Sequence, residues 1–102
     1  MTVASVVAEL DVLIHEPARL RVLALLAMVE EADFMFLLRS TGLSRGNLSV
    51  QLRRLEEAAL VQPERQLVEG RARTSYALTP TGMASLRDYK RAMSSVLAAI
   101  PD

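Results

Sequence analysis

The run Leu43-Ser44-Arg45-Gly46-Asn47-Leu48-Ser49-Val50-Gln51-Leu52-Arg53-Arg54-Leu55-Glu56-Glu57-Ala58 decides how this chain of 102 residues folds. Ser44 carries a hydroxyl able to accept from a free backbone N–H in a helix's first turn, and Asn47 stands where a full capping box has Glu or Gln. Leu48, Leu52, Leu55 and Ala59 recur at four, three and four residues, the spacing of one helical face, so that face is committed to a core. The opposite side carries Gly46, Asn47, Val50, Arg53 and Arg54, with Ser49 at its margin and no acid. Long cations, an amide, a small hydroxyl and a glycine that permits close approach form the chemical set that grips phosphates and reads base edges.

Just upstream, Phe34, Leu37 and Leu38 make a short apolar stripe that Gly42 stops, which predicts a helix over 34–41, a turn, and a helix over 44–58. Further back, Val3, Val6, Val7, Leu10, Leu13 and Ile14 predict a first helix over about 3–14. Pro17 suits the first turn of a second helix, over 17–31, whose face is Leu20, Leu23, Ala24 and Ala27. Downstream, Leu67-Val68 and Thr74–Leu78 flank Glu69-Gly70-Arg71-Ala72-Arg73, which reads as a β-hairpin over about 65–79. Pro63 cannot donate to a strand ladder, so the first strand is expected to start after it and to form a sheet edge. Thr79 and Pro80 supply a cap and first turn for a last helix over about 80–100, seamed by Met83, Leu86, Tyr89, Met93, Val96, Leu97 and Ile100. The fold class is mainly α with a small β-hairpin (α+β), a single domain over 1–102 with a three-helix core. Such a core cannot cover the seams of both the first and last helices, so each is expected to meet a second chain.

Composition narrows the chemistry. Half of the chain, 51%, is hydrophobic but only 4% is aromatic, so the core must be built from Leu, Val, Ala, Ile and Met. Four Gly and four Pro are too few for many short strands joined by tight turns. There is no Cys, which excludes disulfides, thiolate metal sites and cysteine nucleophiles. With one His and no cluster of carboxylates beside it, neither a nucleophile–base pair nor a metal site can be assembled, so the protein is expected to be no enzyme, without metal or cofactor. His15, next to Pro17, reads as a helix-end cap or a filler between helices, and Met28, Met35, Met83 and Met93 as core or interface filler. No leader or membrane-spanning run is visible, so a soluble cytoplasmic protein is expected. Net charge is zero, which argues against a broad phosphate-coating protein. The charge is uneven, however: residues 39–73 hold seven Arg against four Glu.

The element order and several motifs together resemble the winged helix-turn-helix regulators of the MarR and ArsR type. His15-Glu16-Pro17-Ala18-Arg19-Leu20-Arg21 is similar to the opening of that group's second helix, and the run from Leu43 to Ala58 to its turn and recognition helix. Gly70-Arg71-Ala72-Arg73-Thr74 is similar to its wing, and Leu78-Thr79-Pro80-Thr81-Gly82 to the exit from it. The resemblance implies a DNA interface made of Ser44, Arg45, Gly46, Asn47, Ser49, Val50, Arg53 and Arg54 in the major groove, with Arg71, Arg73 and Thr74 on the wing. It implies a homodimer joined through Val3, Val6, Leu10, Leu86, Tyr89, Met93, Val96, Leu97 and Ile100. Many ArsR-type sensors bind metal through Cys, which this chain lacks, and MarR-type proteins have longer terminal helices framing a ligand pocket, so metal sensing is not expected and a small-molecule effector is unsupported. The function expected is a sequence-specific double-stranded-DNA-binding transcriptional regulator, a repressor by occupancy of a pseudo-palindromic operator. The alternative is a winged-helix module that binds protein instead, because fold alone does not fix function. Acids or large apolar residues would be expected on such a module's exposed helix face, where this chain has Asn47, Arg53 and Arg54.

Overall fold

A computed structural model describes residues 10–102 of the chain. The elements run α1 (Pro17–Met28), β1 (Ala32–Asp33), α2 (Phe34–Thr41), α3 (Arg45–Glu57), β2 (Val61–Val68), β3 (Arg71–Leu78) and α4 (Pro80–Ala99). Each helix starts on a side chain that satisfies otherwise orphaned N–H groups. Glu16 accepts from the N–H groups of Ala18 and Arg19, with Pro17 in the first turn. Asp33 accepts from Phe36, Ser44 from Asn47 and Thr79 from Gly82.

Ile14, Val22, Leu23, Leu26, Leu37, Leu48, Leu52, Leu55, Leu60 and Val61 form one buried cluster, to which β1 adds Ala32 and α4 adds Tyr89. The spacing in α3 thus acts as its sequence predicts: Leu48, Leu52 and Leu55 are all buried. The α2–α3 turn passes through Gly42, whose φ of 73° is the left-handed conformation that glycine adopts without cost. Gly82 serves the fold differently. A Cβ there would sit 2.0 Å from the Leu60 carbonyl oxygen, so only glycine lets the start of α4 pass the end of the α3–β2 turn. The Thr79 hydroxyl fixes the same crossing by donating to the Ala59 carbonyl at 2.6 Å.

Three features differ from the sequence expectation. The helix read over 3–14 lies mostly outside the described residues, as do Val3 and Val6, and its last part, Leu10–Ile14, is a bend and turn. The Asp11 carboxylate captures the N–H groups of Leu13 and Ile14, a local side-chain bond that competes with helix continuation. The second helix ends at Met28, and the acidic stretch beyond it leads into β1, which pairs with β3 through Ala32–Tyr76 and Asp33–Ser75. The sheet is therefore three-stranded, ordered β1-β3-β2 and antiparallel throughout. Finally, β2 begins at Val61 and carries Pro63 within it, tolerated because β2 is an edge strand. The β2–β3 hairpin closes on Glu69 and Gly70, with φ of 53° and 77°, the paired positive values of a type I′ turn.

Candidate nucleic-acid interface

Every residue of α3 and its cap expected to meet DNA is exposed: Ser44, Arg45, Gly46, Asn47, Ser49, Val50, Arg53 and Arg54. The two acids of the helix, Glu56 and Glu57, are confined to its last turn. Arg45 leans back across the turn, with Nη2 3.8 Å from the Met35 sulfur of α2. A Cβ at Gly46 would meet nothing within 4 Å, so nothing in the fold calls for glycine there.

The hairpin lifts a second cationic edge. Residues paired across an antiparallel ladder share a face, so Arg71 and Arg73 lie on the side of Gln66 and Ser75, while Thr74 faces the other way with Arg65. Arg71 and Arg73 are exposed and Thr74 is half-buried. Arg73 is not wholly free: its Nε lies 3.9 Å from Asp33 Oδ2, although its side chain stays 59% exposed. Because Asp33 also caps α2, this contact ties the wing to the helix-turn-helix. Asp33, Met35, Arg39, Arg73 and Thr74 line the groove between the two, which brings in Arg39, a residue that sequence reasoning counted only as charge. At the wing's root the Tyr76 hydroxyl is held above its ordinary pKa, first by burial and then by the Glu56 carboxylate, with Arg65 opposing.

The support beneath α3 leaves no periodic signal in the sequence. Arg19 of α1 donates through Nη1 to Gln51 Oε1 at 3.0 Å, and Gln51 Nε2 donates to Asn47 Oδ1 at 2.9 Å. The Glu16 carboxylate beside Arg19 is held below its ordinary pKa, chiefly by the Arg19 backbone N–H, against the cost of burial.

The residues expected at a dimer interface divide. Tyr89 is buried in this chain's own core, where its hydroxyl meets His15 Nδ1 at 2.8 Å; His15 therefore bridges to the last helix. Leu10, Leu86 and Met93 are half-buried against the same core, and Val96 is half-buried. Leu97 and Ile100 stand 59% and 61% exposed. Beside them an open apolar groove runs between α1 and α4, lined by Leu20, Ala24, Met28, Met83 and Leu86.

A family model described as "Winged helix DNA-binding domain" matches residues 18–97. The chain belongs to this winged helix DNA-binding family. Among its relatives, the transcriptional regulator Rv3488 of Mycobacterium tuberculosis is 42% identical over 53 residues, which span 52% of this chain and half of that protein. The winged helix superposes with a TM-score of 0.74 on a transcriptional regulator homologue from Pyrococcus horikoshii, 27% identical, covering 93% of this chain and 89% of the other. It also matches a MarR-family transcriptional regulator from Silicibacter pomeroyi at a TM-score of 0.63 and 27% identity, covering 93% of this chain and 61% of the other. Family and fold are those of transcriptional regulators, not of enzymes. Among the described residues no helix is long and apolar enough to cross a membrane.

Proposed function

We propose that this protein is a homodimeric, sequence-specific regulator that binds double-stranded DNA in the cytoplasm and represses by occupying a pseudo-palindromic operator. The observation that carries the reading is the division of α3: its Leu face is spent in the core, and its solvent face presents Ser44, Arg45, Asn47, Ser49, Val50, Arg53 and Arg54 without an acid among them. A protein-docking face would be spared the cost of stripping water from clustered cations. A face set against phosphates and base edges uses them, and Val50 suits a thymine methyl group. Arg71 and Arg73 supply the wing's contact to phosphate or minor groove. Two copies joined through the exposed end of α4 would place two α3 helices in successive major grooves about 34 Å apart.

Selection of bound sequences from a random duplex pool tests this directly. An inverted repeat with half-sites one helical turn apart is expected, and binding should weaken with salt. If about half of Arg45, Arg53, Arg54, Arg71 and Arg73 in each copy neutralise phosphates, the log–log slope for the dimer is roughly −4 to −5. Recovery of no motif from folded protein, or a slope near zero, would assign this winged helix to protein binding instead.

A further inference from the structure

We propose that Arg19 and Gln51 fix the polarity with which Asn47 meets a base, so that α3 offers a hydrogen-bond donor at that point and selects an acceptor-bearing base edge; the inference rests on α3 lying in the major groove. Arg19 sits on α1 with its side chain only 12% exposed, so its charge is turned inward. Three contacts hold it there. Glu16 Oε2 lies 3.7 Å from Nη1, the Leu13 carbonyl accepts from Nε at 2.5 Å, and Gln51 Oε1 accepts from Nη1 at 3.0 Å.

The chemistry of these groups leaves one arrangement of the amides. A guanidinium has donors only, so the Gln51 atom facing it is the oxygen. Gln51 Nε2 therefore turns to Asn47, and an amide N–H demands an acceptor, so the Asn47 atom facing it is Oδ1. Asn47 Nδ2, with its two donors, is left on the exposed side, and among the described residues it has no hydrogen-bond partner. The Asn47 backbone is fixed as well, because its N–H donates to the Ser44 cap at 3.1 Å. An unrestrained Asn offers oxygen or nitrogen with equal ease; this one is set before DNA arrives, which removes part of the ordering cost of binding. In the major groove guanine presents two acceptors and thymine one, adenine presents an acceptor beside a donor and so suits either polarity, and cytosine presents only a donor, which would oppose Nδ2. Arg19 and Gln51 are thus positioning residues, and Asn47 is the group that touches the base.

The test is parallel selection from a random duplex pool with the unmodified protein and three variants. Asn47→Ala identifies the base position concerned, where the preference for guanine or thymine is expected to flatten. Gln51→Glu keeps size and the bond to Arg19 but can only accept, so it turns the Asn47 amide over and leaves Oδ1 outward. The preference at that one position is then expected to move from guanine or thymine to cytosine, which presents only an N–H donor, by about fivefold or more, with the other positions unchanged. Arg19→Met is expected to flatten that position alone, a change that simple loosening of the fold would not produce, and circular dichroism verifies that each variant is folded. The inference is overturned if Asn47→Ala flattens no position, if Gln51→Glu keeps the original base, or if Gln51→Glu only weakens binding uniformly across sequences. Absence of any motif with the unmodified protein would overturn the DNA-binding function itself, a result distinct from all of these.

Discussion

Replacing Gly46 with Ala should make this protein more stable and a poorer DNA binder at the same time. Gly46 is the second residue of α3, and a Cβ built there meets no atom within 4 Å, so the extra methyl carries no steric cost in the free protein. In a helix interior Gly is less favourable than Ala by about 1 kcal/mol; in the first turn, where one helical neighbour shell is missing, about half of that is a fair expectation. A gain of about 0.5 kcal/mol corresponds to a rise of roughly 2–4 °C in the unfolding midpoint of a domain this size. Against DNA the same methyl stands between the helix backbone and the groove, and forcing one into a close-packed contact costs about 1–3 kcal/mol, or roughly 5- to 150-fold in Kd. Thermal unfolding followed by circular dichroism and fluorescence anisotropy with the selected duplex measure the two effects on the same preparations. A variant that is more stable and binds undiminished would refute close approach at Gly46. One that is less stable would refute the open space above it. Gly82 gives the contrast: there the Cβ would lie 2.0 Å from the Leu60 carbonyl oxygen, so Gly82→Ala should destabilise the fold whether or not DNA is present.

Leu97→Asp places a charge where the side chain is 59% exposed in the single chain, so folding should survive while sedimentation shows a monomer with weakened operator binding; an unmodified protein that already sediments as a monomer would remove the proposed interface. Glu69→Asn relieves a non-glycine residue held at a φ of 53° in the hairpin turn and should stabilise by about 0.5–1 kcal/mol in urea unfolding, with DNA affinity nearly unchanged. Glu16→Gln weakens the α1 cap by about 1 kcal/mol at neutral pH. Because the Glu16 pKa is lowered on folding, its contribution is present above the ordinary carboxylate value near 4.5 and is lost as pH falls through the lower folded value, so the gap between wild type and variant should close on acidification.

The helices were legible wherever apolar period and cap agreed. For α3 both signals point the same way, and the buried set Leu48, Leu52 and Leu55 follows from spacing alone. At Leu10–Ile14 they conflict: the apolar stripe suits a helix, while Asp11 offers the backbone a nearer partner, and the local bond prevails. The two-residue strand β1 carries no periodicity long enough to read; it exists because β3 lies alongside Ala32 and Asp33, a tertiary cause. The candidate interface divides on the same line. Exposed residues on one helix face can be counted off at 3.6 per turn, but the hydrogen-bonded path from Arg19 to Asn47 joins residues 28 positions apart and depends on how α1 crosses α3. Arg73 was readable as a wing cation, whereas its contact with Asp33 required the sheet register.

If this protein binds DNA as proposed, its lack of net charge restricts how it can do so. Phosphate neutralisation supplies most of the non-specific affinity, and here it must come from the surplus of Arg along residues 39–73, with acids elsewhere repelling the duplex from other approaches. That fixes orientation more than it supplies strength. The wing also meets the helix-turn-helix at one point: the Asp33 carboxylate that caps α2 lies beside Arg73. Discrimination then falls to the few groups that reach base edges, and each of these is most selective when its donors and acceptors are set in advance. On the proposed reading Asn47 would meet that condition, because its amide is held through Gln51 by Arg19, a half-buried cation on another helix. In the proposed DNA complex, low overall charge and a pre-set amide would therefore be complementary parts of one arrangement, in which weak general attraction would leave base contacts to decide where the protein stays.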